Sequence, residues 1–152
     1  MDGATIDRAL RGHVVTRSIY RGVASADDTA ACLRRPGFYV YNTDPSWLPG
    51  KHWIAQYNDG TGRILHFDSY GLPPFGEMAA ALDASCPSST AIAYHDRRLQ
   101  GAGKTCGHYC LYYALHSAEP STYGMDAFDE RDLNGNDLKV TAIVENIFDG
   151  LL

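Results

Sequence analysis

One stretch constrains this chain more than any other: Leu99-Gln100-Gly101-Ala102-Gly103-Lys104-Thr105-Cys106-Gly107-His108-Tyr109-Cys110-Leu111-Tyr112-Tyr113. A polar, glycine-broken loop turns abruptly into an apolar run that continues through Leu115. A helix that is apolar nearly all round belongs in a core, so the remaining elements must wrap it. The pattern puts Cys106 at the junction of loop and helix, where unpaired N–H groups and the helix dipole favour negative charge. A thiol there is biased toward thiolate, its nucleophilic form. Gly107 is expected to leave the face of the sulfur open to a substrate backbone. A lone cysteine in this position is an ordinary buried residue; the companions of Cys106 decide otherwise.

The 152 residues suit one domain spanning 1–152, long enough to bury a core. A net charge of −5 argues against a dominant nucleic-acid surface. The N-terminus lacks a signal-peptide pattern and no apolar run reaches membrane-spanning length. The four cysteines do not resemble a secreted disulfide framework, which implies a reducing, intracellular setting.

In order, the chain predicts a short helix around Ile6 to Leu10 and an extended piece from Val14 to Val23. A helix starts at Ser25-Ala26-Asp27-Asp28, contains Cys32 as a core residue, and stops at Arg34-Arg35-Pro36-Gly37. Phe38 to Thr43 is a central strand; Lys51 to Tyr57 and Arg63 to Asp68, joined by turn residues, form an antiparallel hairpin. An alanine-rich helix (Phe75 to Ala84), a Cys86-Pro87 loop and a strand (Thr90 to Tyr94) lead into the opening stretch. Val140, Ile143, Val144, Ile147 and Phe148 have the spacing of a closing helix. This order is α+β.

A cysteine nucleophile needs a base, a group to orient the base, and donors for an oxyanion. His52 and Asp68 flank the predicted hairpin, whose open ends meet, so the carboxylate can hold one ring nitrogen while the other faces Cys106. His66, two residues before Asp68, is a less useful base; His13, His95 and His116 lie in less informative surroundings, and His108 points elsewhere on the helix. Zinc on Cys106 and Cys110 is the other alternative, but structural zinc usually takes two such pairs and there is one. Gln100 can donate to the oxyanion together with the Cys106 N–H.

These residues resemble the adenovirus-type cysteine endopeptidases (adenain), within the wider clan of SUMO-specific proteases. The motifs are Gly50-Lys51-His52-Trp53, Phe67-Asp68-Ser69-Tyr70-Gly71, Gln100-Gly101 and Cys106-Gly107-His108-Tyr109-Cys110, with Asn42-Thr43 and Tyr20-Arg21-Gly22-Val23 also similar. Asp68-Ser69-Tyr70-Gly71-Leu72-Pro73-Pro74 looks most like the short homologues of Maverick/Polinton and adintovirus-like elements. The likeness covers about residues 20–118. It departs from the adenoviral pattern in having Asp68 rather than Glu, a Gln-to-Cys loop shorter by one, and no C-terminal extension.

The resemblance implies a papain-like α+β fold, with a central buried helix on a mostly antiparallel sheet. It makes Cys106 the nucleophile, His52 the base, Asp68 its orienting acid and Gln100 the oxyanion-hole residue. The implied function is cleavage of viral or virus-like structural precursors at glycine-containing sites, by a monomer inside the cell and in the virion. Trp53 is expected to border the substrate groove, unless strand alternation turns it into the core. Alternatives are a SUMO or ubiquitin-like deconjugase, a protein acetyltransferase of the same clan, and a non-catalytic capsid-associated domain. Family members are stimulated by DNA and by a disulfide-linked peptide. Here the basic residues are scattered apart from Arg34-Arg35 and Arg97-Arg98 with Lys104, which predicts little or no DNA stimulation. No cofactor is needed for the chemistry, and an activating peptide, if one binds, attaches at Cys86, whose loop reads as exposed.

Overall fold

The computed structural model describes residues 1–28 and 35–152. The chain opens with α1 (Gly3–Gly12), capped by the Asp2 carboxylate, which accepts from Thr5 N at 2.8 Å. Ile6, Ala9 and Leu10 form its buried stripe. The segment expected to be extended from Val14 onward instead continues in turns, and only β1 (Tyr20–Ala24) is strand. Thr16 causes this: its hydroxyl donates to Leu10 O at 2.9 Å, and its carbonyl accepts from Ile19 N and Tyr20 N. A side-chain bond back to the helix end outweighs the β preference of the surrounding valines. Of the helix expected from Ser25, a short 3₁₀ turn at Ala26–Asp28 is present; its continuation to Arg34, including Cys32, lies outside the described residues.

Five strands follow in sheet order as in sequence: β1, β2 (Gly37–Asn42), β3 (Trp53–Asn58), β4 (Arg63–Phe67) and β5 (Ala91–Tyr94). The two central pairings are antiparallel, as the hairpin predicts. The two outer pairings, β1 with β2 and β4 with β5, are parallel, so the sheet is more mixed than expected. The helix α2 (Gly76–Ser85) lies between β4 and β5 in the chain, and a connection of that length lets β5 return in the same direction.

All six residues of β2 are buried, because both faces of the sheet are covered. Tyr39 and Tyr41 pack with Ile54, Ile64 and the α2 residues Met78 and Leu82. Phe38 and Val40 pack on the other side with Ala55, Phe67 and the apolar helix α3 (Cys106–Ala118). The Phe67 and Tyr113 rings stack at 4.2 Å between centroids. Each such large side chain taken from water contributes roughly 1.5–3 kcal/mol. The closing helix α4 (Leu133–Ile147) adds Val140 and Val144 to the same core and α1 adds Ile6 and Leu10, so α3 is enclosed.

This arrangement brings four chain points to one end of the sheet: the start of β3, the end of β4, the segment after β5, and the N-terminus of α3.

Candidate active site

The β3–β4 register pairs Ala55 with Phe67, so the residues just beyond, His52 and Asp68, meet at the open end of the hairpin. His52 Nε2 lies 2.8 Å from Asp68 Oδ1. A carboxylate oxygen can only accept, so Nε2 carries a proton toward Asp68 and Nδ1 is left for a partner on the other side of the ring. Cys106, the first residue of α3, lines the same cleft as His52, and the two groups act on each other's ionisation. Asp68 is fully buried, and the same Oδ1 also accepts from Tyr70 N at 2.8 Å.

Burial is the largest single influence on both members of the cysteine–histidine pair, and it opposes charge on each. For His52, the bond to Asp68, the bond to Cys106 and their negative charges together outweigh it and raise the imidazole to about 9. For Cys106, the bond from His52, the backbone N–H groups of Trp53 and Gly107, and the imidazolium charge bring the thiol below its ordinary value. A raised histidine beside a lowered cysteine shifts the balance toward a thiolate–imidazolium pair. Thr105, the residue before the helix, makes no side-chain cap to it, which leaves the first N–H groups of α3 facing the sulfur.

Gln100 is buried, and its side-chain amide is held at both ends. Oε1 accepts from Ser69 Oγ at 2.6 Å, and Nε2 donates to Gly103 O at 2.6 Å. One N–H of Nε2 remains for an oxyanion beside the Cys106 N–H. The run Asp68-Ser69-Tyr70-Gly71 ties the two halves of the site together. Asp68 binds His52. Ser69 binds Gln100 through its hydroxyl, and its carbonyl accepts from Leu99 N and Gln100 N at 2.9 and 3.0 Å. Tyr70 stacks on the His52 ring at 4.9 Å and carries the Arg98 guanidinium on its own ring at 5.5 Å. Gly71, at φ +73°, lies so close to the Arg97–Arg98 peptide that a Cβ would sit 2.8 Å from Arg97 C. Neither Ser69 nor Tyr70 follows from the motif itself; the signal in the sequence for Ser69 is a hydroxyl directly after the acid Asp68.

Beside the pair lies a cleft of about 860 Å³, with Trp53, Tyr70, Gln100 and Lys104 in its walls. Trp53 lines this cleft and also packs against the main core, and its Nε1 donates to Met1 O at 3.1 Å. Gly107 does not line the cleft. It is buried against the N-terminal segment, where a Cβ would meet Met1 Cβ and Sδ at 3.2 Å, so its missing side chain makes room for α1 rather than for substrate. Its contribution at Cys106 is its N–H.

The remaining candidates are occupied elsewhere. His66 is fully buried on the α2 side of the sheet, with Nδ1 3.2 Å from Gln56 Nε2. His13 packs on Phe148, His95 on Phe67, and His116 Nδ1 meets Tyr123 O at 2.8 Å. Cys110 is fully buried, and burial pushes its thiol well up. Cys86 is half-buried rather than exposed: it ends α2, packs against the Tyr39–Tyr41 cluster, and burial followed by the Asp83 charge pushes its thiol up. The Arg97-Arg98 pair is not a free basic patch either. Arg97 binds Glu130 at 2.8 Å and Phe128 O at 2.7 Å, and Arg98 Nε donates to Gln100 O at 3.1 Å.

No protein-family model matches the sequence, and neither does any curated protein. The fold has solved counterparts among cysteine proteases. The ASFV pS273R protease matches with a TM-score of 0.61 at 16% identity, over 97% of this chain and 65% of the viral protein. This chain thus spans just under two thirds of that protease. The SUMO protease Ulp1, in a form whose catalytic cysteine is oxidised to a sulfinic acid, matches at 0.54 and 13% identity, over 98% of this chain and 79% of Ulp1. The Chlamydia trachomatis effector Cdu1, in its complex with ubiquitin, matches at 0.55 and 14% identity, over 100% of this chain and 95% of the effector. At these identities the shared property is the fold: this is an α+β chain built like those proteases.

Proposed function

We propose that this chain is a cysteine endopeptidase in which Cys106, His52, Asp68 and Gln100 carry the chemistry. The observation that carries the reading is the His52–Asp68 bond of 2.8 Å beside a lowered Cys106 thiol at a helix N-terminus. His52 holds the thiol proton. The thiolate attacks the scissile carbonyl, and the oxyanion is met by the Cys106 N–H and the spare N–H of Gln100 Nε2. His52 then gives its proton to the leaving amine, takes one from water, and the hydroxide releases the acyl group from sulfur. Asp68 keeps the ring oriented and its charge compensated throughout.

The substrates in this reading are structural precursor proteins of a virus or virus-like element, cut after glycine-containing sequences inside the cell and in the virion. The adenovirus-type motifs support it, as does the viral origin of one fold counterpart. Trp53 in the cleft wall favours a slim backbone next to the cut. A second reading, deconjugation of ubiquitin-like proteins, is favoured by Ulp1 and by Cdu1 with its bound ubiquitin. The deciding experiment incubates the purified chain with capsid precursors encoded beside it and, in parallel, with fluorogenic ubiquitin and SUMO. Cleavage of the precursors at Gly-containing bonds, absent in Cys106→Ala, is the expected result. Turnover of ubiquitin or SUMO alone would select the second reading.

A further inference from the structure

The loop that presents Gln100 and leads to Cys106 is gripped from behind by one carboxylate. Asp137, on α4, is buried and accepts three groups from it: Gly101 N at 3.2 Å, Gly103 N at 3.0 Å and Thr105 Oγ1 at 2.8 Å; the Tyr109 hydroxyl, on α3, shares its one proton between Leu99 O at 3.0 Å and Asp137 Oδ1 at 3.2 Å. Its neighbour Asn136 reaches the same segment, donating from Nδ2 to Leu99 O at 3.2 Å. The glycines of the loop leave room for α4: a Cβ on Gly101 would lie 2.8 Å from Asn134 Oδ1 and 3.1 Å from Asp137 Oδ2, and one on Gly103 2.8 Å from Asp137 Oδ2.

We propose that Asp137 is a positioning residue for the oxyanion hole, and this rests on the protease reading above. The Gly103 carbonyl that aligns Gln100 Nε2 belongs to a residue whose own N–H is bound by Asp137. Thr105, whose peptide carries the Cys106 N–H, is bound through its hydroxyl. Both oxyanion donors are therefore set by one anion, which touches neither substrate nor sulfur. Hydrogen bonds to a charged acceptor are short and strong, which suits a loop that must hold two N–H vectors on one point. The grip also explains why Thr105 does not cap α3: its hydroxyl is spent on Asp137, and the helix N-terminus stays open for the thiolate.

The test separates acylation from thiol reactivity. Alkylation of Cys106 by iodoacetamide needs the thiolate–imidazolium pair but no oxyanion hole, whereas hydrolysis of a fluorogenic Gly-Gly peptide amide needs both. Asp137→Asn has one acceptor oxygen in place of two, so the loop loses part of its hold. Its kcat is expected to fall ~10²-fold with KM little changed, the size of losing an oxyanion donor. Its alkylation rate and pH profile should match the wild type. Thr105→Ala and Tyr109→Phe each remove one donor and keep the carboxylate. They should show the same pattern at about 5-fold, and they decide the matter if Asp137→Asn does not fold. A folded Asp137→Asn with wild-type kcat, alkylation lost in proportion to hydrolysis, or unchanged kcat in both lesser variants would overturn the proposal while leaving the protease reading in place. A wild-type chain with no turnover, and Cys106 alkylated no faster than free cysteine, would overturn both.

Discussion

Ser69 Oγ donates to Gln100 Oε1 at 2.6 Å, and with the Gly103 carbonyl it settles which end of the Gln100 amide faces the nucleophile. A carbonyl can only accept, so Nε2 must point to Gly103; a hydroxyl that donates to Oε1 locks the same orientation. Asp68 and Ser69 are adjacent, so the carboxylate that holds His52 and the hydroxyl that holds Gln100 share one backbone turn. In the proposed mechanism this keeps base and oxyanion hole in fixed relation.

Ser69→Ala should lower kcat about 10-fold, since one of two restraints on the amide is lost, while Gln100→Ala should lower it ~10²–10³-fold. Steady-state kinetics on a Gly-Gly peptide amide measures both. Equal losses would mean that Ser69 does more than orient Gln100.

Cys106→Ala should abolish turnover and stoichiometric alkylation. Cys110→Ala, one turn further into the helix and fully buried, should retain activity and lose about 1 kcal/mol of stability from the small cavity. Mass spectrometry after limited iodoacetamide treatment reads which sulfur reacts. Label on Cys110 would contradict the assignment.

Asp68→Asn should keep the fold and reduce kcat/KM by ~10²–10⁴, because an amide facing Nε2 favours the wrong tautomer. The carboxylate is also the leading influence that raises His52, so the alkaline limb of the pH–rate profile should move to lower pH in this variant.

In the proposed mechanism activity needs thiolate and imidazolium together. It should rise as the lowered Cys106 thiol ionises and fall as His52 loses its proton near about 9. The stability curve has a different origin. His66 is held neutral by burial, with its folded value lowered from 6.5 to about 4. The unfolded chain therefore binds that proton more readily: the stabilisation is complete above about 6.5 and lost as pH falls toward 4, on the order of 3 kcal/mol in all. Thermal melts between pH 4 and 7 should show this slope, and His66→Leu should flatten it.

Duplex DNA should leave kcat/KM unchanged at moderate salt, since Arg97 is paired with Glu130 and Arg98 is committed to Tyr70 and Gln100. Any stimulation by a thiol-bearing peptide should vanish in Cys86→Ser. The half-buried, raised Cys86 thiol predicts that such attachment is slow. A many-fold, salt-sensitive rise with DNA would contradict this.

Much of the site was legible because its signals are local. The apolar run after Cys106 requires a buried helix, a glycine-broken loop before it requires an open N-terminus, and two β-forming runs joined by Asn58–Gly62 require a hairpin whose ends carry His52 and Asp68. Each follows from periodicity, turn chemistry and strand geometry within a short window. What the window does not hold is which face of each element meets which neighbour. Gly107 reads as an opening toward substrate, yet the packing of α1 on α3 puts Met1 and Ile6 over it. The parallel outer pairings depend on where the connecting segments cross, not on the strands themselves. Ser69 finds Gln100 across 31 residues and Asp137 finds Thr105 across 32. Directed bonds of that span form only after the sheet and its helices have stacked, because a polar group takes its partner from whatever burial brings within 3 Å. The proposed nucleophile and base can be named from the sequence; the bonds that hold Gln100 and its loop beside them are a property of the packed fold.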